Sequence, residues 1–487
     1  MAHRRGSAGE GEVSPGSMWA LSPLDAIMPD IDLCFVLCFA CADTHQQRAA
    51  DVLRWSYARL VSDNPILAAV ISLAPATASS RPGSKIVRAA EGETTTASLR
   101  IRDGRESINE SYADLRTSAM PSRHLQASVV LPGLETAVPG VRRTSAAQAT
   151  FIRDGCLLAF NTSHALMDAT GVSRVFSAWA EYAAAEAAGQ APPSVISLAP
   201  SWTDVATLNP IVGADEYHST LKHNLTAWHM LGLDYRPQDA SSAVLASRIT
   251  PRGPAETRLF HIGAAALRRL KDECAGTATA TKSISTNNAL AALIWRSVIE
   301  ARMLGNANSD TSDPTTLMVA MSVRDAVAPP IGPTYLGNVV LYATAASTVG
   351  SLAAPGTESA LGLLAQDIRE AIKKHQDPDA IQTALRLAAS IPDISSLGLV
   401  YPTWLETDVV ISSLYHLPLP RSSWGHTFGG NSRPDFVRFP QGMFEGICFV
   451  MPRTEDGSVE VSITMYEGDM AELVRSASFA RYATQLW

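Results

Sequence analysis

The stretch TFIRDGCLLAFNTSHALMDATG, residues 150–171, constrains the fold more than any other part of the chain. Apolar runs flank Asp154-Gly155, a dipeptide favoured in tight two-residue turns, so TFIRDGCLLAFNTS reads as a hairpin. The run CLLAFNTS is followed by a polar turn with His164 and Asp168 four residues apart, and Gly171 three residues later. Val172, Val175, Phe176, Trp179 and Ala183 then share one face of an amphipathic helix that runs out at AAGQAPP. A hairpin leading through a polar turn into a helix belongs to a mixed α/β layer.

The rest of the chain repeats this mixture. LSPLDAIMP (21–29) is a turn-rich entry to the strand DLCFVLCFAC. Ala50, Leu53, Tyr57 and Leu60 recur at helical steps and predict a helix over roughly 47–62. NPILAAVISL reads as a turn and a buried strand, and ASVVLPG precedes the hairpin. From about 190 to 255 prolines are frequent and no period is sustained, which is long for a loop inside a compact domain. That segment is read as a crossover between domains.

Beyond it, TRLFHIGAAALRRLKDECA reads as strand then helix. STNNALAALIWRSVIEARM is a strong helix with Leu290, Leu293, Ile294 and Val298 on one side. TTLMVAMSVRD, YLGNVVLYATAAS, TDVVISSLYHLP, GICFVMP and SVEVSITMY read as strands. The expected organisation is a disordered leader (1–17), an N-terminal α/β domain (18–200), a crossover (201–255) and a C-terminal α/β domain (256–487).

Composition narrows the function. With 46% hydrophobic and 18% charged residues the chain is globular, and a net charge of −8 argues against a nucleic-acid partner. No apolar run reaches the roughly 18–20 residues of a membrane helix, and the leader lacks a signal peptide's pattern. The cytoplasm is the default compartment. The six cysteines read as reduced, buried thiols, and the Cys34, Cys38, Cys41 spacing as strand packing rather than a metal site.

A general base near neutral pH is most often histidine, whose unperturbed pKa is about 6.5. His164 sits between a strand and a helix, where a side chain can project into a cleft. Asp168 could orient the imidazole directly, or pin the loop by pairing with a distant arginine. The plain alternative is a polar turn, since a histidine with aspartate at i+4 often arises by chance. There is no GxSxG elbow, so covalent hydrolase chemistry gets no support.

Seven segments then occur in a telling order: LSPLD, His164-Ala-Leu-Met-Asp168, STNNALAALIWRS (285–297), SVRD with GPTYLGN (322–338), DVVISSL (408–414), TFGGNSRPDFVRFP (427–440) and GICFVMPRTEDGSVEVSITMYEGDM. In these the chain resembles the acyl-CoA-dependent acyltransferases of the BAHD family, in its fungal, trichothecene 3-O-acetyltransferase-like branch, from about residue 17 onward. The resemblance implies two similarly folded chloramphenicol-acetyltransferase-like α/β domains, with mixed sheets flanked by helices and an active-site channel between them. It implies an O-acyltransferase, most readily an acetyltransferase, acting on a hydroxyl of a fungal-type secondary metabolite. The co-substrate would be acyl-CoA, with no tightly bound cofactor, no metal, no membrane and a monomeric enzyme.

The resemblance also assigns residues. His164 would deprotonate the acceptor for attack on the thioester, and Asp168 would brace the loop, typically through an arginine. Lys271, Lys282, Ser285, Thr286 and Arg324 fall where CoA contacts tend to lie, with Ser412 and Ser413 lining the CoA arm. The family's Asp-Phe-Gly-Trp-Gly is here Thr427-Phe428-Gly429-Gly430-Asn431. In the family that Asp pairs with the arginine matching Arg324. Here Asp435 or another carboxylate would replace it, or Arg324 would be free for CoA phosphate. Two other readings keep the fold: a CoA-independent cyclase, rearrangement enzyme or metabolite-binding protein, and a condensation-type domain, which usually has a second His where Ser163 stands.

Overall fold

The computed structural model describes residues 17–75, 77, 80–90, 99–198, 202–235, 253–276, 283–306, 310–354, 359–399, 406–430, 432–442 and 446–487. The leader expected to be disordered, Lys282, Asn431 and much of the crossover's second half lie outside them, apart from Ser17.

The first half supplies β1 (Met18–Trp19), β2 (Asp32–Ala40), β3 (Val70–Leu73), β4 (Lys85–Arg88), β5 (Arg100–Asp103), β6 (Val141–Arg143), β7 (Ser145–Ile152) and β8 (Gly155–Ser163). The second supplies β9 (Leu233–Tyr235), β10 (Ala255–Ile262), β11 (Pro314–Ser322), β12 (Val340–Thr348), β13 (Leu397–Leu399), β14 (Val409–Ser413), β15 (Phe436–Arg438), β16 (Ile447–Val450), β17 (Val459–Tyr466) and β18 (Thr484–Gln485). Two sheets dominate: β15-β2-β8-β7-β5 and β12-β11-β14-β16-β17-β10-β18. A four-stranded sheet (β1-β4-β3-β6) and the pair β13-β9 complete the described strands.

The predicted hairpin is β7 and β8, with Asp154 in the left-handed region (φ 54°). β2 pairs with β8 over nine residues, from Asp32–Ser163 to Ala40–Gly155. Its sequence does not alternate polar and apolar because both faces are covered. Phe35, Leu37 and Phe39 face the helices Gln46–Asp63 and Ala169–Ala187, which carry Leu53, Tyr57, Phe176 and Trp179 into the same core. Val36 and Cys38 face Ile108, Tyr112 and Leu115 on the other side. All six cysteines are free and buried, and burial pushes the Cys38 thiol up to about 12.

In the second large sheet, β11 pairs antiparallel with β12 and parallel with β14. The helix Thr286–Gly305 packs on this sheet with Leu290, Leu293, Ile294 and Val298 all buried. Its start is fixed by a capping box between Ser285 and Asn288.

Two expectations need revision. Residues 202–231, read as crossover, form short helices and turns whose Leu208, Trp228 and Met230 join Ile381, Leu385 and Leu24 in a third core. The C-terminal segment is also not closed on itself, because β15 returns to pair with β2 and Leu414, Leu419, Trp424, Phe428 and Val437 belong to the N-terminal core. Arg438 clamps this return, holding Glu460 of β17 through two hydrogen bonds (2.6 and 3.0 Å) while donating to the Ala119 and Met120 carbonyls.

Candidate active site

β8 ends at Ser163, and a turn carries His164 into the helix Ala169–Ala187. Asp168 is the N-cap, its Oδ1 accepting from the Gly171 N–H at 3.0 Å. The glycine is required here: a Cβ at 171 would stand 2.3 Å from the Leu336 carbonyl oxygen, so the first turn of the helix lies hard against the 336–339 loop.

That contact brings in the second half of the chain. Arg324, just past β11, makes a bidentate pair with Asp168: Nη1 to Oδ2 at 2.7 Å and Nη2 to Oδ1 at 3.1 Å. Nη2 also donates to the Gly337 carbonyl at 2.7 Å, and the Val339 N–H donates to Asp168 Oδ2 at 3.2 Å. Charge-assisted bidentate pairs of this kind are strong and directional. Both partners are buried (Asp168 2% and Arg324 5% exposed), so each charge needs the other. Two of the alternatives for Arg324 are thereby corrected. Its terminal nitrogens are bound inside the protein rather than free for CoA phosphate. Asp435 does not replace the family's aspartate either, since it accepts from Tyr112 (2.9 Å) and lies 3.4 Å from Arg116.

The Asp168 carboxylate thus faces a helix start, an arginine and a loop, not the imidazole of His164. Nδ1 of His164 is buried with no hydrogen-bond partner. The residue is held by its backbone instead. Its N–H donates to the Ile31 carbonyl at 2.9 Å, and its carbonyl accepts from Asn338 Nδ2 at 2.8 Å. Asn338 in turn donates to Asp25 Oδ1 through its backbone N–H (2.6 Å) and Nδ2 (2.8 Å). Burial pushes the Asp25 carboxyl above its usual range, against the opposing pull of donors from Asn338 and Ser22. In the sequence Asp25 and Asn338 stand out only as members of LSPLD and GPTYLGN. The available signal is the place of Asp25 and Asn338 within two ordered motifs.

The other selected residues form two groups. Ser285 and Thr286 stand at the start of the helix Thr286–Gly305, with Ser285 exposed and Thr286 half-buried. Ser412 and Ser413 end β14, and Ser413 Oγ donates to Asn287 Oδ1 at 3.1 Å, which joins the two groups. Lys271 lies on the helix Ala264–Gly276. Thr427 belongs elsewhere: buried, it donates to the Trp424 carbonyl at 2.6 Å and stands 3.4 Å from the Ala183 carbonyl. The clefts at Arg438 and Trp487, and at Asp456 and Glu460, are lined by none of the candidate site residues.

Two α/β cores with a His-x-x-x-Asp turn fastened at their junction by an arginine from the second half have the build of a group-transfer enzyme. The family model described as Transferase family matches residues 114–480, and that of the trichothecene 3-O-acetyltransferase-like N-terminal domain matches 31–181. The chain belongs to the transferase family. It is 26% identical over 484 residues to eremophilane O-acetyltransferase prx11 of Penicillium rubens, covering 95% of this chain and 98% of that one. To trichothecene 3-O-acetyltransferase TRI101 of Fusarium sporotrichioides it is 26% identical over 400 residues, 80% of each chain. Among solved structures, the fold matches F. graminearum TRI101 complexed with coenzyme A and T-2 mycotoxin with a TM-score of 0.76 at 20% identity, covering 97% of this chain and 100% of that one. Vinorine synthase matches with a TM-score of 0.60 at 14% identity, covering 95% and 93%.

Proposed function

We propose that the protein is an acyl-CoA-dependent O-acyltransferase, using acetyl-CoA by preference, that acylates a hydroxyl of an oxygenated secondary metabolite of the fungal type. The observation that carries this is the position of His164, on a turn fixed from both halves of a chain whose family match spans 114–480. The names of the relatives, O-acetyltransferases of fungal metabolites, support the substrate class.

In this reading His164 takes the proton of the acceptor hydroxyl as the oxygen attacks the thioester carbonyl carbon. The C–S bond then breaks, the ester forms, and the imidazolium returns its proton to the CoA thiolate. The thioester is already activated, so holding both substrates in one channel between the halves supplies most of the remaining advantage. Asp168 acts as a brace, because its oxygens already have four donors around them. For the CoA arm we propose Ser285, Thr286, Ser412 and Ser413, supported by the contact between Ser413 and Asn287 that joins their two elements. Lys282, outside the described residues, is proposed on the resemblance alone. Arg324 is not among them.

Both halves that meet at the His164 turn belong to one chain, which supports a monomer. Among the described residues no helix is long and apolar enough to cross a membrane. Together with six free, buried thiols and a CoA co-substrate, this supports a cytoplasmic enzyme.

The test incubates purified protein with acetyl-CoA and a panel of hydroxylated metabolites, following free CoA and product mass. Thioester-dependent acylation that His164→Ala reduces by about 100-fold or more is expected from loss of a general base. A wild-type rate in that variant would remove His164 from the chemistry, and product formed without any thioester would overturn acyl transfer.

A further inference from the structure

We propose that Asp25 is a positioning residue for His164, acting through Asn338. The inference rests on the reading of His164 as the base.

The argument starts from what does not hold the imidazole. Its Nδ1 has no hydrogen-bond partner, and the Asp168 carboxylate is directed at Arg324, Gly171 and Val339. The direction of the ring therefore depends on the backbone from which it projects. That backbone is held at two points. The His164 N–H donates to Ile31 and its carbonyl accepts from Asn338. Both points lead to the same short segment, residues 22–31. Ile31 belongs to it, and Asn338 is fastened to Asp25 within it.

Asn338 can hold the carbonyl only in one orientation of its amide. Nδ2 has two hydrogens, and both have acceptors: Asp25 Oδ1 and the His164 carbonyl, each at 2.8 Å. A flipped amide would set Oδ1 against a carboxylate and a carbonyl, both acceptors. The Asp25 oxygen, accepting from the Asn338 backbone N–H as well, thus selects the orientation. Asp25 is itself fixed: its Oδ2 accepts from Ser22 Oγ (2.7 Å), the Ser22 N–H (3.0 Å) and the Tyr335 hydroxyl (3.1 Å). With both oxygens surrounded by donors, and Asp25 and Asn338 at 3% and 0% exposure, the network is closed to solvent.

The test is a double-mutant cycle on turnover, with acetyl-CoA and the acceptor found by the panel. Asn338→Ala is expected to lower kcat by about 10–100-fold, the cost of a misplaced base. The KM for acetyl-CoA and the Kd for CoA should change by less than about twofold, as expected when only transition-state geometry is lost. In a His164→Ala background the same substitution should leave the residual rate unchanged, because its effect passes through the imidazole. Wild-type kcat in Asn338→Ala, or an equal fold-loss in both backgrounds, overturns the proposal; the second result is what a merely structural role would give. If His164→Ala alone keeps the wild-type rate, the base assignment fails instead, so the two failures are distinguishable. Should Asn338→Ala lose CoA binding, Asp25→Asn takes its place. That variant keeps the volume, turns one donor against the Asn338 or Ser22 and Tyr335 donors, and is read by the same outcomes.

Discussion

The turn that carries His164 and the turn at 424–429 are neighbours along one helix, yet they are held by opposite means. At the start of Ala169–Ala187, Asp168 and Arg324 form a buried ion pair across the two halves of the chain. Near its end, the Thr427 hydroxyl meets the carbonyls of Trp424 and Ala183, and the turn is packed by rings. Phe428 stacks on Phe39 at 3.9 Å between centroids, and Trp424 meets Trp179 edge-on at 5.5 Å. Ala183 lies fifteen residues after Asp168, about 20 Å away at 1.5 Å per helical residue. Charge is placed where two halves must meet in one orientation, and apolar packing where one core only has to be filled. The family's aspartate is not needed at 427, because the arginine it would serve is already paired with the motif aspartate.

The largest expected effect comes from breaking the charged end. Arg324→Ala leaves the Asp168 carboxylate buried without a cation, and should cost about 3–5 kcal/mol of unfolding free energy in a denaturant titration. Turnover of the folded fraction should fall by roughly 10-fold or more, since the His164 turn loses its brace. Phe428→Ala should cost a similar amount, about 3–5 kcal/mol, through the cavity it leaves. Its turnover per folded molecule should stay near wild type, which separates the two ends. Loss of activity with unchanged stability would contradict this division.

Thr427→Asp sharpens the comparison further. A carboxylate there faces two carbonyl oxygens, so it should destabilise by about 2–3 kcal/mol rather than restore a family contact. Burial would raise its pKa in the folded state. The penalty should therefore grow as pH rises above about 3.9, the unfolded carboxylate value, and be smallest in acid. A rise in thermal stability on this substitution would mean that Arg324 can reach it. Smallest is Thr427→Val, which removes one buried hydrogen bond and should cost about 1 kcal/mol with unchanged kcat.

Local signals in the sequence are legible because their causes are local. Asp154-Gly155 announced a turn that needs a positive φ, and the apolar steps at Ala50, Leu53, Tyr57 and Leu60 gave a helix found at Gln46–Asp63. Partners far apart in sequence were not readable in the same way. Arg324 lies 156 residues from Asp168 and Asn338 lies 313 from Asp25, and no periodicity connects them. Ordered motifs mark those residues without revealing who touches whom, so the sequence alone leaves Arg324 among the candidate CoA contacts. β15 escaped because its three residues carry no strand pattern of their own. Residues 202–231 escaped because their helices are too short for a sustained period, although each buries an apolar side against another core.

The return of β15 to β2 has a consequence for biosynthesis. β2 is apolar and buried along almost its whole length, and β15 pairs with Val36, Leu37 and Cys38 on the edge away from β8. As the polypeptide leaves the ribosome, that edge lacks its closing strand until Phe436–Arg438 has been synthesised, 273 residues after β8 is complete (436 minus 163). At about 5–20 residues per second this leaves tens of seconds. Through that interval a nascent chain displays the kind of bare, oily strand that templates aggregation, so chaperone supply and translation speed should govern the yield of native enzyme.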